Sequence, residues 1–266
     1  MTKLPLYWVD AFTETVFHGN PAAVVPLTTW LPDPILQCIA MENGLSETAF
    51  FVRTAPDRGQ LRWFTPAVEV DLCGHATLAT AFTLFTQLNQ GGQRITFDSR
   101  SGPLTVIRLA DGRLELDFPS RPSEPAATPV ALAQALGHAP EMVARTTASW
   151  LCVYATAAEV RALRPDQTRL CQISPGRMIV TAPGGAGDDC DFVSRFFAPD
   201  AGVPEDPVTG SAHCTLIPYW AQRLGKSRLH ARQVSARGGD LTCEWRGDRV
   251  GIAGHAVLYL RGEIEV

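Results

Sequence analysis

Two glycine-led segments of the 266-residue chain carry residue types suited to chemistry: Gly74-His75-Ala76 and Gly210-Ser211-Ala212. Each opens an apolar run rich in small residues, which predicts a buried helix over 74–88 and another over 210–224. The first turn of a helix has N–H groups without intrahelical partners and carries the positive end of the helix dipole. A glycine there lets a ligand approach the backbone closely. Gly74 and Gly210-Ser211 therefore read as two anion sites. They suit a small carboxylate, or the enolate-like charge that develops when a proton leaves a neighbouring carbon. Either glycine alone is explained as well by packing at a helix start. The pair, with acids ahead of each, shifts the reading toward function.

Removing a proton from carbon needs a base close to that carbon and a donor or second base elsewhere. Glu47 lies between Ser46 and the apolar run Thr48 to Val52, where partial desolvation would raise its pKa toward catalytic use. Alone, it reads as an ordinary acid in a helix-capping or surface turn after Gly44-Leu45-Ser46. Asp206 precedes Pro207, which holds it extended just ahead of the second helix; an N-cap or turn role competes with a catalytic one. His75 reads as donor, base or satisfied core histidine, and His213 as packing. Asn20, Phe17 and Tyr219 are candidates for pocket walls.

The elements that must position these residues alternate between strand and helix signals. Strands are predicted at 6–12, 22–25, 47–52, 61–64, 95–97, 104–109 and 113–118, with a helix at 34–41. The proline-dense stretch Pro119 to Pro125 reads as a linker. Beyond it come helices at 130–136 and 159–163, strands at 151–154, 178–181 and 192–197, and a loop at 184–189. The tail (233–235, 241–245, 250–253 and 256–260) alternates like an antiparallel meander. The halves echo each other. Phe64-Thr65-Pro66, Glu69, Asp71 and Gly74 in the first match Phe197-Ala198-Pro199, Glu205-Asp206 and Gly210 in the second.

Composition excludes several classes. With 45% hydrophobic and 19% charged residues and a net charge of −4, the chain suits a globular protein and not a nucleic-acid binder. No apolar run reaches the roughly 20 residues of a membrane span. The start is too soon acidic for a signal peptide, so a cytoplasmic location is expected. The 7 cysteines show no CxxC pair, which argues against a disulfide framework or zinc ribbon. Lysine occurs only at Lys3 and Lys226, neither placed for a pyridoxal Schiff base. No G-x-S-x-G, HExxH, P-loop or G-x-G-x-x-G motif appears.

Three blocks together resemble the phenazine-biosynthesis PhzF-like family. They are Asn20-Pro21-Ala22-Ala23-Val24-Val25 with Glu42 to Phe51, then Phe64-Thr65-Pro66 through Cys73-Gly74-His75-Ala76-Thr77, then Glu205-Asp206-Pro207-Val208-Thr209-Gly210-Ser211-Ala212-His213. The likeness spans nearly the whole chain. It implies an α+β, diaminopimelate epimerase-like fold: two pseudo-symmetric lobes, each a curled, mostly antiparallel sheet around a central helix, with the active site between them. The lobes would comprise 1–118 and 119–254, the last strand, about 255–266, returning to the first. It implies a homodimer that uses no cofactor and no metal, with a small carboxylate as substrate. Glu47 would be the proton-moving residue, with His75 and Asp206 lining the site. Ser46, Gly74, Gly210, Ser211 and Asn20 would bind substrate.

Epimerases of this fold use paired cysteines, one per lobe. Here Cys73 lies in the first motif, Asp206 in the second, and Cys214 farther along the helix. The leading expectation is a cofactor-independent isomerase acting through Glu47. An epimerase or racemase using Glu47 with Asp206 or His75 is the alternative. A non-catalytic metabolite-binding protein on the same scaffold is another.

Overall fold

The computed structural model describes residues 2–89 and 92–266. The chain forms two compact units, Met1–Phe118 with Gly251–Val266, and Pro119–Val250. Strands outnumber helices in both, an α+β architecture. Among the described residues, no helix is long and apolar enough to cross a membrane.

The first unit contains β1 (Lys3–Ala11), β2 (Asn20–Leu27), α1 (Asp33–Asn43), β3 (Glu47–Ala55), β4 (Arg58–Phe64) and β5 (Glu69–Val70). After these come α2 (Gly74–Phe82), a π-helical turn (Thr83–Gln87), β6 (Arg94–Ser99), β7 (Gly102–Arg108) and β8 (Leu114–Pro119). β2 pairs β1 antiparallel and β3 parallel. β4 pairs β3 antiparallel and β6 parallel. β6, β7 and β8 continue antiparallel. Helix α2 packs against β1, β2, β3 and β7. Its threonines show how so polar a sequence stays buried. Thr77, Thr80 and Thr83 each donate a hydroxyl proton to the carbonyl four residues back, so no partner outside the helix is required.

The second unit contains β9 (Glu124–Pro125), α3 (Val130–Leu136), β10 (Met142–Arg145), β11 (Trp150–Val153), α4 (Ala157–Ala162), α5 (Gln167–Leu170), β12 (Met178–Pro183) and β13 (Phe192–Ala198). There follow β14 (Val203–Asp206), α6 (Gly210–Leu224), β15 (Arg228–Gln233) and β16 (Gly239–Arg246). The chain then runs through β17 (Arg249–Gly254) into β18 (Ala256–Glu265). The pairing sequence of the first unit repeats. β10–β11 is antiparallel, β11–β12 parallel, β12–β13 antiparallel, β13–β15 parallel and β15–β16 antiparallel. The register repeats as well: Phe64 stands opposite Thr48, and Phe197 opposite Met178.

The F-x-P echo in the sequence therefore marks a repeated topology, and its acid has a structural duty in each unit. Arg62 makes paired 2.7 Å hydrogen bonds to the two carboxylate oxygens of Glu69. Arg195 binds Glu205 in the same bidentate fashion at 2.7 and 2.9 Å. Each guanidinium also lies over the phenylalanine of its own F-x-P turn, 5.1 Å from Phe64 and 4.9 Å from Phe197. A planar, delocalised cation suits both contacts.

Three local expectations need correction. The strand predicted at 233–235 is Arg228–Gln233, because its partner in the ladder is β13 in parallel as well as β16. The tail is not a simple meander, since β18 pairs along its length with β1 at the opposite end of the sequence. Part of the proline-dense stretch is structured: Glu124 and Pro125 form β9 on the edge of β10.

Candidate active site

In the first unit, chain direction brings three separate segments to one end of the sheet. Because β2 and β3 are parallel, their first residues lie at the same edge, with Ala22 opposite Glu47. Asn20 opens β2 and Glu47 opens β3. The turn into β3 is set by Gly44, which closes α1 in the left-handed conformation at φ 63°. His75 is the second residue of α2, following Cys73 in extended backbone.

These side chains form one cluster. His75 Nε2 lies 3.2 Å from Glu47 Oε2. Asn20 Nδ2 donates to His75 Nδ1 at 3.0 Å. Cys73 Sγ lies 3.5 Å from the same ring nitrogen. An amide N–H₂ only donates, so Nδ1 accepts and the ring proton sits on Nε2, the nitrogen 3.2 Å from Glu47 Oε2. Burial pushes the His75 pKa down from its ordinary value, so the imidazole is neutral at physiological pH. Asn20 is fully buried, whereas the Glu47 side chain keeps 16% of its surface exposed and so remains reachable. Ser46 and Gly74 flank the cluster, immediately before Glu47 and His75 respectively.

The other expected site residues belong to the second unit. Asp206 ends β14 and accepts a hydrogen bond from Thr209 Oγ1. Buried Gln233 donates to the Asp206 carbonyl at 2.7 Å and accepts from the Thr209 N–H at 2.8 Å. This network braces the entry to α6, where Gly210 and Ser211 are the first two residues. His213 is fully buried, with Nδ1 at 2.8 Å from the Thr209 carbonyl and its ring 6.0 Å from Phe192. Its pKa falls to about 4 because burial penalises the charged form.

Cys73 is the site residue that sequence reasoning undervalued. It is buried, and its sulfur lies against the His75 ring. Its position directly before Gly74-His75 was the available signal. The counterpart of Cys73 before α6 is Thr209, not a thiol. Cys214 is fully buried, its thiol pushed up to about 12 by desolvation. Of the proposed pocket walls, Phe17 is instead 65% exposed, resting edge-on against Tyr259. Tyr219 packs edge-on against Trp220, two turns beyond Ser211. Glu47, Cys73 and His75 also bring a carboxylate oxygen, a sulfur and an imidazole nitrogen within 4.8 Å of one another, a trio that could grip a divalent cation.

Similarity to known proteins agrees with this architecture. The model of the phenazine biosynthesis-like protein family PhzC-PhzF matches residues 9–262. A Pseudomonas aeruginosa protein named an uncharacterized isomerase is 54% identical over 265 residues, covering 99% of each chain. The crystal structure of an Enterococcus faecalis protein of the PhzF family superposes with a TM-score of 0.94 at 45% identity, covering 100% of both chains. A hydroxyproline epimerase from Agrobacterium vitis shares the fold alone, with a TM-score of 0.65 at 10% identity over 98% of this chain and 92% of that one. The fold is thus α+β and diaminopimelate epimerase-like, as the sequence implied. Within that class, the chain belongs to the phenazine biosynthesis-like PhzC-PhzF family.

Proposed function

We propose that this protein is a cofactor-independent isomerase that moves a proton between carbon positions of a small carboxylate, with Glu47 as the acid/base. The observation that carries the reading is the pairing of a reachable carboxylate with a buried, neutral imidazole at 3.2 Å. A neutral His75 beside Glu47 helps to hold the carboxylate in place without neutralising it. Glu47 can then take a proton from a carbon acid and return it to another position of the same molecule. Asn20 fixes the tautomer by donating to Nδ1. The N–H groups at the start of α2 provide positive potential for the charge that develops on the substrate. The isomerase naming of the Pseudomonas aeruginosa relative, 54% identical, supports the same reaction class.

An epimerase is the second reading. Its paired-cysteine form lacks support, because Thr209 holds the position before α6 that Cys73 holds before α2. A form using Glu47 with Asp206 or His75 is separated from the first by its product.

The test is solvent exchange. Cyclic and amino-acid carboxylates are incubated in heavy water with the native protein and with Glu47→Gln, and deuterium at carbon is followed by NMR. The native protein should label its substrate, and Glu47→Gln should lose about 10²- to 10⁴-fold of that rate, the usual scale of general acid–base catalysis. Equal labelling by both proteins removes Glu47 from the mechanism. Inversion at a stereocentre in place of double-bond migration selects the epimerase. Ligands that bind without any exchange select a metabolite-binding protein.

A further inference from the structure

The repeated topology gives the Glu47–His75 site a counterpart in the second unit. Glu47 directly precedes Thr48, the residue opposite Phe64; Arg177 directly precedes Met178, the residue opposite Phe197. His75 is the second residue of α2, and Ser211 the second residue of α6. Arg177 therefore stands where Glu47 stands, and Ser211 where His75 stands. In the second unit these two residues line one cavity of about 430 Å³, together with Arg121, Ser149 and Thr215. The volume is that of a pocket for a small organic molecule.

The chemistry of the lining is one-sided. Both charged side chains are arginines, and no carboxylate lines the cavity. Elsewhere in this unit the arginines at 161, 195 and 232 are held by acids. Among the described residues, no acid or carbonyl accepts from the guanidinium groups of Arg121 or Arg177. Ser149 and Thr215 are largely buried residues that line the cavity and offer it their hydroxyls. Here the first turn of α6, two guanidinium groups without an acid partner and the hydroxyls of Ser149 and Thr215 line one space. Phe196 and Ile179 add an apolar wall, which suits an organic body more than a bare inorganic ion.

We propose that this cavity is a carboxylate-binding pocket, in which Arg177 and Arg121 grip the carboxylate of a small planar acid and Ser149, Ser211 and Thr215 complete its hydrogen bonds. The proposal rests on the reading of the substrate as a small carboxylate, and it extends that reading by naming the arginines as its recognition elements. The repeat has thus produced opposite chemistry at matching positions, a base in one unit and a cationic receptor in the other.

Benzoate titrated calorimetrically into the full-length protein tests the assignment, with inorganic phosphate as a second probe. Benzoate should bind the native protein and Glu47→Gln with equal affinity. Affinity should fall at least ten-fold in Arg177→Met and in Arg121→Met, about 1.4 kcal/mol each. Arg177→Lys should recover part of the loss. Both arginines are exposed, so the thermal midpoints of the ligand-free variants should match the native one and confirm folding. Unchanged benzoate affinity in the arginine variants overturns the proposal, as does phosphate binding in the absence of benzoate binding. If the arginines govern benzoate binding while no carboxylate undergoes exchange, the pocket stands and the proton-transfer reading falls. If Glu47-dependent exchange occurs but its KM is indifferent to both arginines, the pocket falls and that reading stands.

Discussion

The two units share a frame and differ in what they mount on it. Each sheet runs through the same order of antiparallel and parallel pairs, and each braces its F-x-P turn with a bidentate arginine–glutamate pair. At one end of that frame the first unit carries Glu47, His75, Cys73 and Asn20 in mutual contact. At the matching end of the second lie Arg177 and Ser211 on a cavity without acids. The positions that differ are the entry to the third strand and the first turn of the central helix. Both lie at element ends.

The pair also differs in how deeply the shared brace is committed. Arg195 is 9% exposed at its side chain and also donates to the carbonyls of Val160 and Leu163. Arg62 is 19% exposed, and Glu69 keeps a second cation, Arg100, at 2.6 Å. Arg195→Met should therefore be the most damaging substitution in either frame, costing about 3 kcal/mol because Glu205 and two carbonyls lose their donor together. Arg62→Met should cost about 1 kcal/mol. Urea titration of the two variants measures both. Equal losses would mean that the brace, rather than its surroundings, sets the cost.

The next contrast sets His75 against Ser211. His75→Gln should reduce the rate of solvent exchange about 10²-fold, near 2.7 kcal/mol, by removing the group that orients Glu47. Ser211→Ala should leave kcat within a factor of two to three and raise KM, since its hydroxyl contributes to binding only, by about 1 kcal/mol. Steady-state exchange kinetics on both variants separate the roles. A fall in kcat for Ser211→Ala would erase the functional distinction between the two helix starts.

A last contrast concerns stability against pH, and here the units behave alike. His75 and His213 are both buried and neutral, with pKa values depressed by desolvation. Below the ordinary histidine value of about 6.5, the unfolded chain takes up protons that the folded chain refuses. Their contribution to stability is thus complete above about 6.5 and is lost as pH falls toward the depressed values, about 4 for His213. Each histidine should remove about 1.4 kcal/mol per pH unit in that window. Denaturation midpoints followed from neutral to mildly acid pH should show the decline, with a shallower slope in His213→Gln. A slope unaffected by that substitution would show that His213 takes up its proton in the folded state.

Much of this was legible in the chain itself. Periodicity placed the two central helices because their apolar runs are long, the second in spite of Pro218 inside it, and it found most strands because their apolar alternation is local. The glycines, the acids ahead of them and Glu47 were visible as types at a spacing, and the motif blocks supplied the family. Three things were not legible. The residue-by-residue register of β18 on β1 depends on a partner at the other end of the sequence. The involvement of Cys73 with His75 depends on where Asn20 and Glu47 arrive, which only the parallel pairing of β2 with β3 decides. Arg177 carried no motif at all. The sequence by itself determined which residues could act as base, anion receptor and helix start, since those are properties of side chains and of backbone at a helix end. Tertiary structure decided which of them meet, because desolvation, tautomer choice and charge matching arise only when segments distant in sequence exclude water from one another.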